Sequence, residues 1–326
     1  MISRMRWAHH PALAPRHLWH VSTVVSFILL GLAGCSGGGT GPGSGTTLPP
    51  NDLVPGKSYF GRNGYVEYIA GDLPVLVLAP HGGTIRAADM PDRASPDTLR
   101  DLNTEELARA MDTAFVSLTG HHPHVVICRV HRVKLDCNRV QSIGAGTDAE
   151  AIQAWNEFQQ FIVGARAQAV AKFGRAFVVD MHGHGHAVQR LELGYLLSDG
   201  ALGMDAATLD APGWRDSVSV REMLLRTGRP LSQALRGPQS LGTMLAGRGY
   251  PSVPSASDPS PNGAPYFNGG FNTLTHGSIA GGSVSAVQIE ANLSGVRDSG
   301  PARAAFARAL AETLRQYMAY WLDLTL

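Results

Sequence analysis

Short, unbroken apolar runs that end in glycine, proline or histidine recur along this chain, separated by longer stretches in which apolar residues return every third or fourth position. Val75 to Ala79 is such a run and empties into Pro80-His81-Gly82-Gly83, the pattern of a strand buried on both faces. Ser95-Pro96 and then Asn103-Thr104 offer helix starts, after which Leu107, Met111, Ala114, Phe115 and Leu118 share one helical face. A second strand is predicted over Val125 to Val130. A long helix follows from about Asp148 to near Gly174, with Ile152, Trp155, Phe158, Ile162, Ala165 and Ala169 on its buried side. The third strand, Ala176 to Asp180, leads into Met181-His182-Gly183-His184-Gly185-His186, and a fourth is expected from Leu193 to Leu197. Leu202 to Gly249 reads as short helices and turns. Tyr250 to Gly270, rich in Pro, Ser, Asn and Gly, reads as a long surface loop. The last strand, Val284 to Ile289, ends at Glu290, and a closing helix packs Phe306, Leu310, Leu314, Tyr317 and Trp321. Strands alternating with helices in this way predict an α/β fold with a mostly parallel or mixed central sheet covered by helices on both faces.

The first fifty residues follow a different pattern. Arg4, Arg6 and Arg16 precede an apolar run, Val21 to Ala33, that is too short to be a good membrane span. It closes on Leu32-Ala33-Gly34-Cys35, which resembles the lipobox of bacterial lipoproteins, where the signal is removed and the cysteine is lipidated. Ser36 to Pro50 is almost entirely Gly, Ser, Thr and Pro, the composition of a flexible tether. The chain is therefore expected to divide into a signal segment (1–35), a tether (36–58) and one domain (59–326). The expected location is outside the cytoplasm, on a membrane through a lipid at Cys35. Ser36 after that cysteine resembles the sorting of Gram-negative lipoproteins to the outer membrane, facing the periplasm.

Charge adds a limit. With 27 basic and 26 acidic side chains the formal net charge is +1, so no global field attracts nucleic acid, and none is expected as a partner. Cys128 and Cys137 lie in a compartment where disulfides form, and a bridge between them and two buried free thiols are both open.

In open α/β sheets ligands collect at the carboxyl ends of the strands, and there stand His81, His182 and Glu290. Two neutral imidazoles with an open position and a carboxylate base are what a catalytic zinc requires. Gly82, Gly83, Gly183 and Gly185 are read as letting backbone and substrate approach the metal closely. Asp180, two positions before His182, shares its strand face and could hold an imidazole from behind or bond nearby amides. His184 and His186 are alternative ligands. Arg129, Arg132, Asn138 and Arg139 cluster in a strand-to-turn segment, and an arginine fork suits a substrate carboxylate. Tyr266, Asn268, Gly269, Gly270 and His276, after the long loop, could close over a substrate.

Pro80-His81-Gly82-Gly83, Leu135-Asp136-Cys137-Asn138-Arg139, Val179-Asp180-Met181-His182-Gly183 and Gln288-Ile289-Glu290, in this order and spacing, resemble the N-formylglutamate amidohydrolase family within the zinc carboxypeptidase-like hydrolases. The resemblance implies that fold, with His81 and His182 as ligands of zinc or another divalent metal such as cobalt. It makes Glu290 the carboxylate that activates water, and Arg132, Asn138 and Arg139 the binders of a substrate carboxylate. The carboxypeptidase pattern places a glutamate ligand three residues after the first histidine, where this chain has Thr84. Asp101 stands in as third ligand because family members similarly carry an aspartate ahead of this helix, with Asp89 and His184 as alternatives. The expected activity is hydrolysis of an amide in an N-acyl amino acid, a γ-glutamyl compound or a short peptide with a free carboxylate. A carboxypeptidase-type peptidase and a non-catalytic lipoprotein that captures carboxylated ligands are the alternatives.

Overall fold

The computed structural model describes residues 53–95 and 97–326. The signal segment and Cys35 lie outside the described residues, as does the tether up to residue 52. At the tether's far end, Gly56 and Lys57 already exchange backbone hydrogen bonds with Ala70, so the folded domain begins a few residues before position 59. Among the described residues no helix is long and apolar enough to cross a membrane.

Eight strands form one sheet: β1 (Ser58–Phe60), β2 (Val66–Ile69), β3 (Val75–Ala79), β4 (His124–Cys128), β5 (Ala176–Gly183), β6 (Leu191–Gly194), β7 (Ser252–Val253) and β8 (Val284–Ala291). Their spatial order is β1-β2-β4-β3-β5-β8-β6-β7. The central four, β4, β3, β5 and β8, are mutually parallel, while β1, β2 and β6 join antiparallel. The predicted α/β class, with a mixed and mostly parallel sheet, therefore holds.

The alternation along β3 shows why both faces are covered. Val75, Val77 and Ala79 share a core with Leu107, Met111 and Phe115 of helix Thr104–Thr119 and with Phe306, Leu310 and Tyr317 of helix Gly300–Leu322. Leu76 and Leu78 turn to the opposite core, where helix Ala149–Phe173 contributes Phe158, Phe161, Ile162 and Ala165. That long helix has the expected ends: the Asp148 side chain caps the Ala151 N–H, and Gly174 closes it in the left-handed region at φ 75°.

Several boundaries differ from expectation. Ser95 starts no helix, and the first long helix begins at Thr104. β4 stops at Cys128. β6 lies earlier than the predicted Leu193 to Leu197, because Leu196 takes φ 72° and its N–H bonds to the Asn268 carbonyl. Part of the predicted surface loop, Ser252–Val253, pairs with β6 as a sheet edge. Two extensions matter for chemistry: β5 continues through His182 to Gly183, and β8 through Glu290 to Ala291, because these ends pair with each other. Cys128 and Cys137 are both buried as free thiols.

Candidate metal centre

His81 and His182 reach one place by different routes. His81 leaves the end of β3 and His182 sits on β5, yet their rings lie 4.7 Å apart, edge to face. Asp101 joins them from the turn before helix Thr104–Thr119. One donor atom from each of the three lies within 4.8 Å of the others, and all three residues are buried.

Each imidazole presents its Nδ1 side inward. His81 Nε2 bonds Asp136 Oδ1 at 2.7 Å, which leaves Nδ1 as the lone-pair nitrogen. That Nδ1 is buried with no hydrogen-bond partner, and Asp101 Oδ2 lies 3.4 Å away. His182 Nδ1 lies 3.1 Å from the same oxygen. Behind it, His182 Nε2 faces Asp180 Oδ2 at 3.2 Å and Asn138 Nδ2 at 3.1 Å. Two imidazoles backed by carboxylates, with a third carboxylate between their inner nitrogens, fit a divalent ion of the zinc type, and the unpartnered nitrogen of His81 is what such an ion would satisfy.

The electrostatics follow from burial against pairing. Burial alone would raise the Asp101 carboxyl, but the nearby His81 and the bond to His182 hold it well below the usual range. Burial would depress His182, yet the Asp180 charge and bonds to Asp101 and Asp180 outweigh it and raise its imidazole well above 6.5. Glu290, directly opposite His182 in the β5–β8 ladder, has fewer compensations. Burial pushes it up to about 7, with His182 pulling down and Asp101 pushing up. A carboxylate that titrates near neutrality is suited to take and return a proton. Gln288 Nε2 donates to Glu290 Oε1 at 2.9 Å and fixes its direction.

The residues expected to bind substrate line the same cavity but have other partners. Arg132 donates through Nε to Asp136 Oδ2 at 3.0 Å and approaches Asp101. Asn138 spans His182 and the Asn272 N–H. Arg139 pairs with Asp97 at 2.5 Å near the mouth. Arg129 points to Glu67 and the Gly64 carbonyl. Of the alternative ligands, Asp89 accepts from Tyr65 and Asn63, and His184 bonds the Arg190 carbonyl. His184, His186 and Glu192 form a second group with donor atoms within 4.8 Å, in which His186 Nδ1 lies 2.8 Å from Glu192 Oε1.

Among the glycines, Gly82, Gly83 and Gly183 serve packing within the protein. A Cβ on them would meet the Glu105 N, the Arg129 carbonyl carbon and the Arg297 guanidinium at 2.4 Å or less. Of the four glycines singled out in the sequence, Gly185 alone faces open space. After the long loop, Gly269 and Gly270 form part of the cavity wall, while Tyr266 bonds the Leu193 carbonyl and His276 is buried against Gln159. Two residues were not foreseen. Asp136, given no role by the sequence, is wholly buried behind His81. Arg297, buried just past β8, donates to the carbonyls of Ala291, Leu102 and His184 and lines the cavity. Its place soon after a strand end was the available signal.

No protein-family model matches the sequence, and no curated protein matches it. Solved structures do. The chain is similar to an N-formylglutamate amidohydrolase from Ralstonia eutropha JMP134 at 16% identity and TM-score 0.50, over 79% of this chain and 98% of that one. It is also similar to the gene product Atu2144 from Agrobacterium tumefaciens, at 19% identity and TM-score 0.44, over 79% and 94%. A succinylglutamate desuccinylase from Chromobacterium violaceum matches at 11% identity and TM-score 0.35, over 83% and 72%. The first of these likenesses shows a shared α/β fold.

Proposed function

We propose that this protein is a metal-dependent amidohydrolase acting on a carboxylate-bearing substrate, with His81, Asp101 and His182 holding the metal and Glu290 as general base. The observation that carries the reading is the unpartnered, buried Nδ1 of His81, facing Asp101 and His182 on the strand next to Glu290. A divalent ion bound there supplies Lewis acidity toward a carbonyl oxygen and makes water acidic enough to react near neutral pH. Asp136 at His81, and Asp180 with Asn138 at His182, face the two Nε2 atoms, so both Nδ1 atoms turn inward. Glu290 takes a proton from the attacking water and returns it to the departing nitrogen. Arg297, held by three carbonyls, places a fixed positive charge beside Asp101 and Glu290. An Asp101 carboxylate beside both imidazoles supports a three-ligand centre and so favours turnover over mere capture of a carboxylated ligand.

The substrate carboxylate needs a guanidinium without a prior commitment. Arg132 and Arg139 already face carboxylates, whereas Arg100, also lining the cavity, has no carboxylate within ion-pair distance among the described residues. Among the described residues its one hydrogen bond is from Nη1 to the Gly82 carbonyl at 3.1 Å. We assign the substrate carboxylate to Arg100, which lines the cavity together with Arg139. The test is metal content after purification without chelator, followed by a screen of N-acyl amino acids and short peptides against their carboxamide analogues. Stoichiometric metal and hydrolysis of the free acids are expected. Substoichiometric metal, with no hydrolysis after adding zinc or cobalt, would overturn the reading.

A further inference from the structure

The cavity above the His81–Asp101–His182 group has a volume of about 890 Å³, in the range of small-molecule sites. Its floor is polar, with His81, His182 and Glu290, and its rim adds to the Arg139–Asp97 pair a set of exposed apolar side chains. Of the thirteen large apolar side chains exposed among the described residues, seven line this one cavity. They come from separate segments: Leu99 and Leu102 ahead of the first long helix, Val140 and Ile143 after Arg139, Phe267 and Leu274 on either side of Gly269 and Gly270, and Leu293 just past β8. Leu99 is 83% exposed, so it contributes little to the core. Exposed apolar groups scattered singly are ordinary, whereas their concentration round one opening marks a binding surface.

What covers that rim must also reach the floor, because rim and floor belong to one cavity. A formyl or acetyl group is too small to touch leucines from several segments while its carbonyl faces His81 and His182. We infer that the substrate is an N-acyl amino acid whose acyl group is a medium or long aliphatic chain, lying across this rim while the carboxylate meets Arg100. The inference rests on the reading of this cavity as an amidase site. It differs from that reading in assigning most of the binding to the acyl chain.

Glycine, with no side chain to clash, is the head group that isolates the acyl contribution. Binding of N-acetyl-, N-hexanoyl- and N-decanoylglycine to the zinc-loaded protein is measured by calorimetry below micelle-forming concentrations, beside kcat/KM for each. Burying one methylene strengthens binding by up to about fourfold, so the hexanoyl compound is expected to bind at least about tenfold more tightly than the acetyl one. Ile143→Asn with Leu274→Asn, at positions 55% and 49% exposed and so safe for folding, is expected to flatten the series. Equal affinities, or the tightest binding for acetyl, overturn the inference whatever the turnover. A chain-length dependence that survives the double substitution also overturns it. Rising affinity with no hydrolysis of any member leaves the acyl site standing and removes the amidase reading instead.

Discussion

Asp136→Asn separates the metal centre from the fold that carries it. The carboxylate is wholly buried, and Oδ1 accepts from His81 Nε2 at 2.7 Å and from the Asn138 backbone N–H at 2.9 Å. Oδ2 accepts from Arg132 Nε at 3.0 Å, with Arg93 Nη2 3.7 Å away. Asparagine keeps the volume and one oxygen for His81, but removes the charge that faces the Arg132, Arg93 and Arg139 guanidinium groups and turns an NH₂ toward them. For the metal, losing a carboxylate behind a ligating imidazole costs about 10- to 100-fold in affinity, or about 1.4–2.7 kcal/mol. For the fold, hydrogen bonds to charged groups contribute about 1.5–3 kcal/mol each, and Arg132 retains its approach to Asp101, so a loss of about 2–3 kcal/mol is expected. Zinc affinity is read by competition with a chelator of known affinity, and stability by urea unfolding in excess chelator. A folded variant whose zinc affinity stays within about threefold of the parent would refute the placing of the metal on His81 Nδ1.

Three further outcomes are expected. Glu290→Gln should keep stoichiometric metal and lose about 10²- to 10⁴-fold in kcat, and near-native turnover would remove Glu290 from the mechanism. Gly183→Ala should lower stability by about 1–3 kcal/mol, because its Cβ would stand 2.3 Å from the Arg297 guanidinium, which three carbonyls hold in place. Gly185→Ala, with nothing within 4 Å, is the control in the same thermal-melt comparison, and equal melting points would count against that packing. Finally, His124 Nδ1 accepts from the Gly71 N–H and meets the Tyr68 hydroxyl, and burial holds its imidazole down to about 4 from its ordinary 6.5. The unfolded chain binds the proton more readily, so this stability is present above pH 6.5 and is lost as pH falls toward 4. It amounts to about 2 kcal/mol between pH 7 and pH 5. Urea unfolding at the two pH values should show that loss in the parent and a smaller one in His124→Gln, and an identical loss would refute the assignment.

What could be read in the sequence was what depends on local periodicity and strand ends. The helix from Asp148 to Gly174 was legible because its cap residues and its apolar stripe agree, and the central strands because they are continuously apolar. His81, His182 and Glu290 stood out because strand ends are where an open sheet places chemistry. The antiparallel strands β1 and β2, at one side of the sheet, were not separately legible. They are short, and β2 buries Glu67 beside Tyr68, so its pattern does not mark an inner face. Asp136 and Arg297 were obscured for a different reason. A charged residue in a loop looks solvated unless its partners are known, and theirs come from distant segments. The same holds for Arg132 and Asn138, whose side chains support the centre from the side.

The β5–β8 ladder has one more consequence. His182 and Glu290 are rung partners, so the span between the proposed ligand and the proposed base is that of neighbouring strands, about 4.8 Å, and is maintained by backbone hydrogen bonds. A slip of one residue would send Glu290 to the opposite face, so this spacing cannot drift by small steps. The rim is built the other way, from connecting segments that tolerate insertion and exchange. On the proposed assignment, chemistry and appetite are thus inherited through different parts of the chain: a lineage of such proteins could change what it consumes by rewriting loops, with the strand-borne pair left untouched.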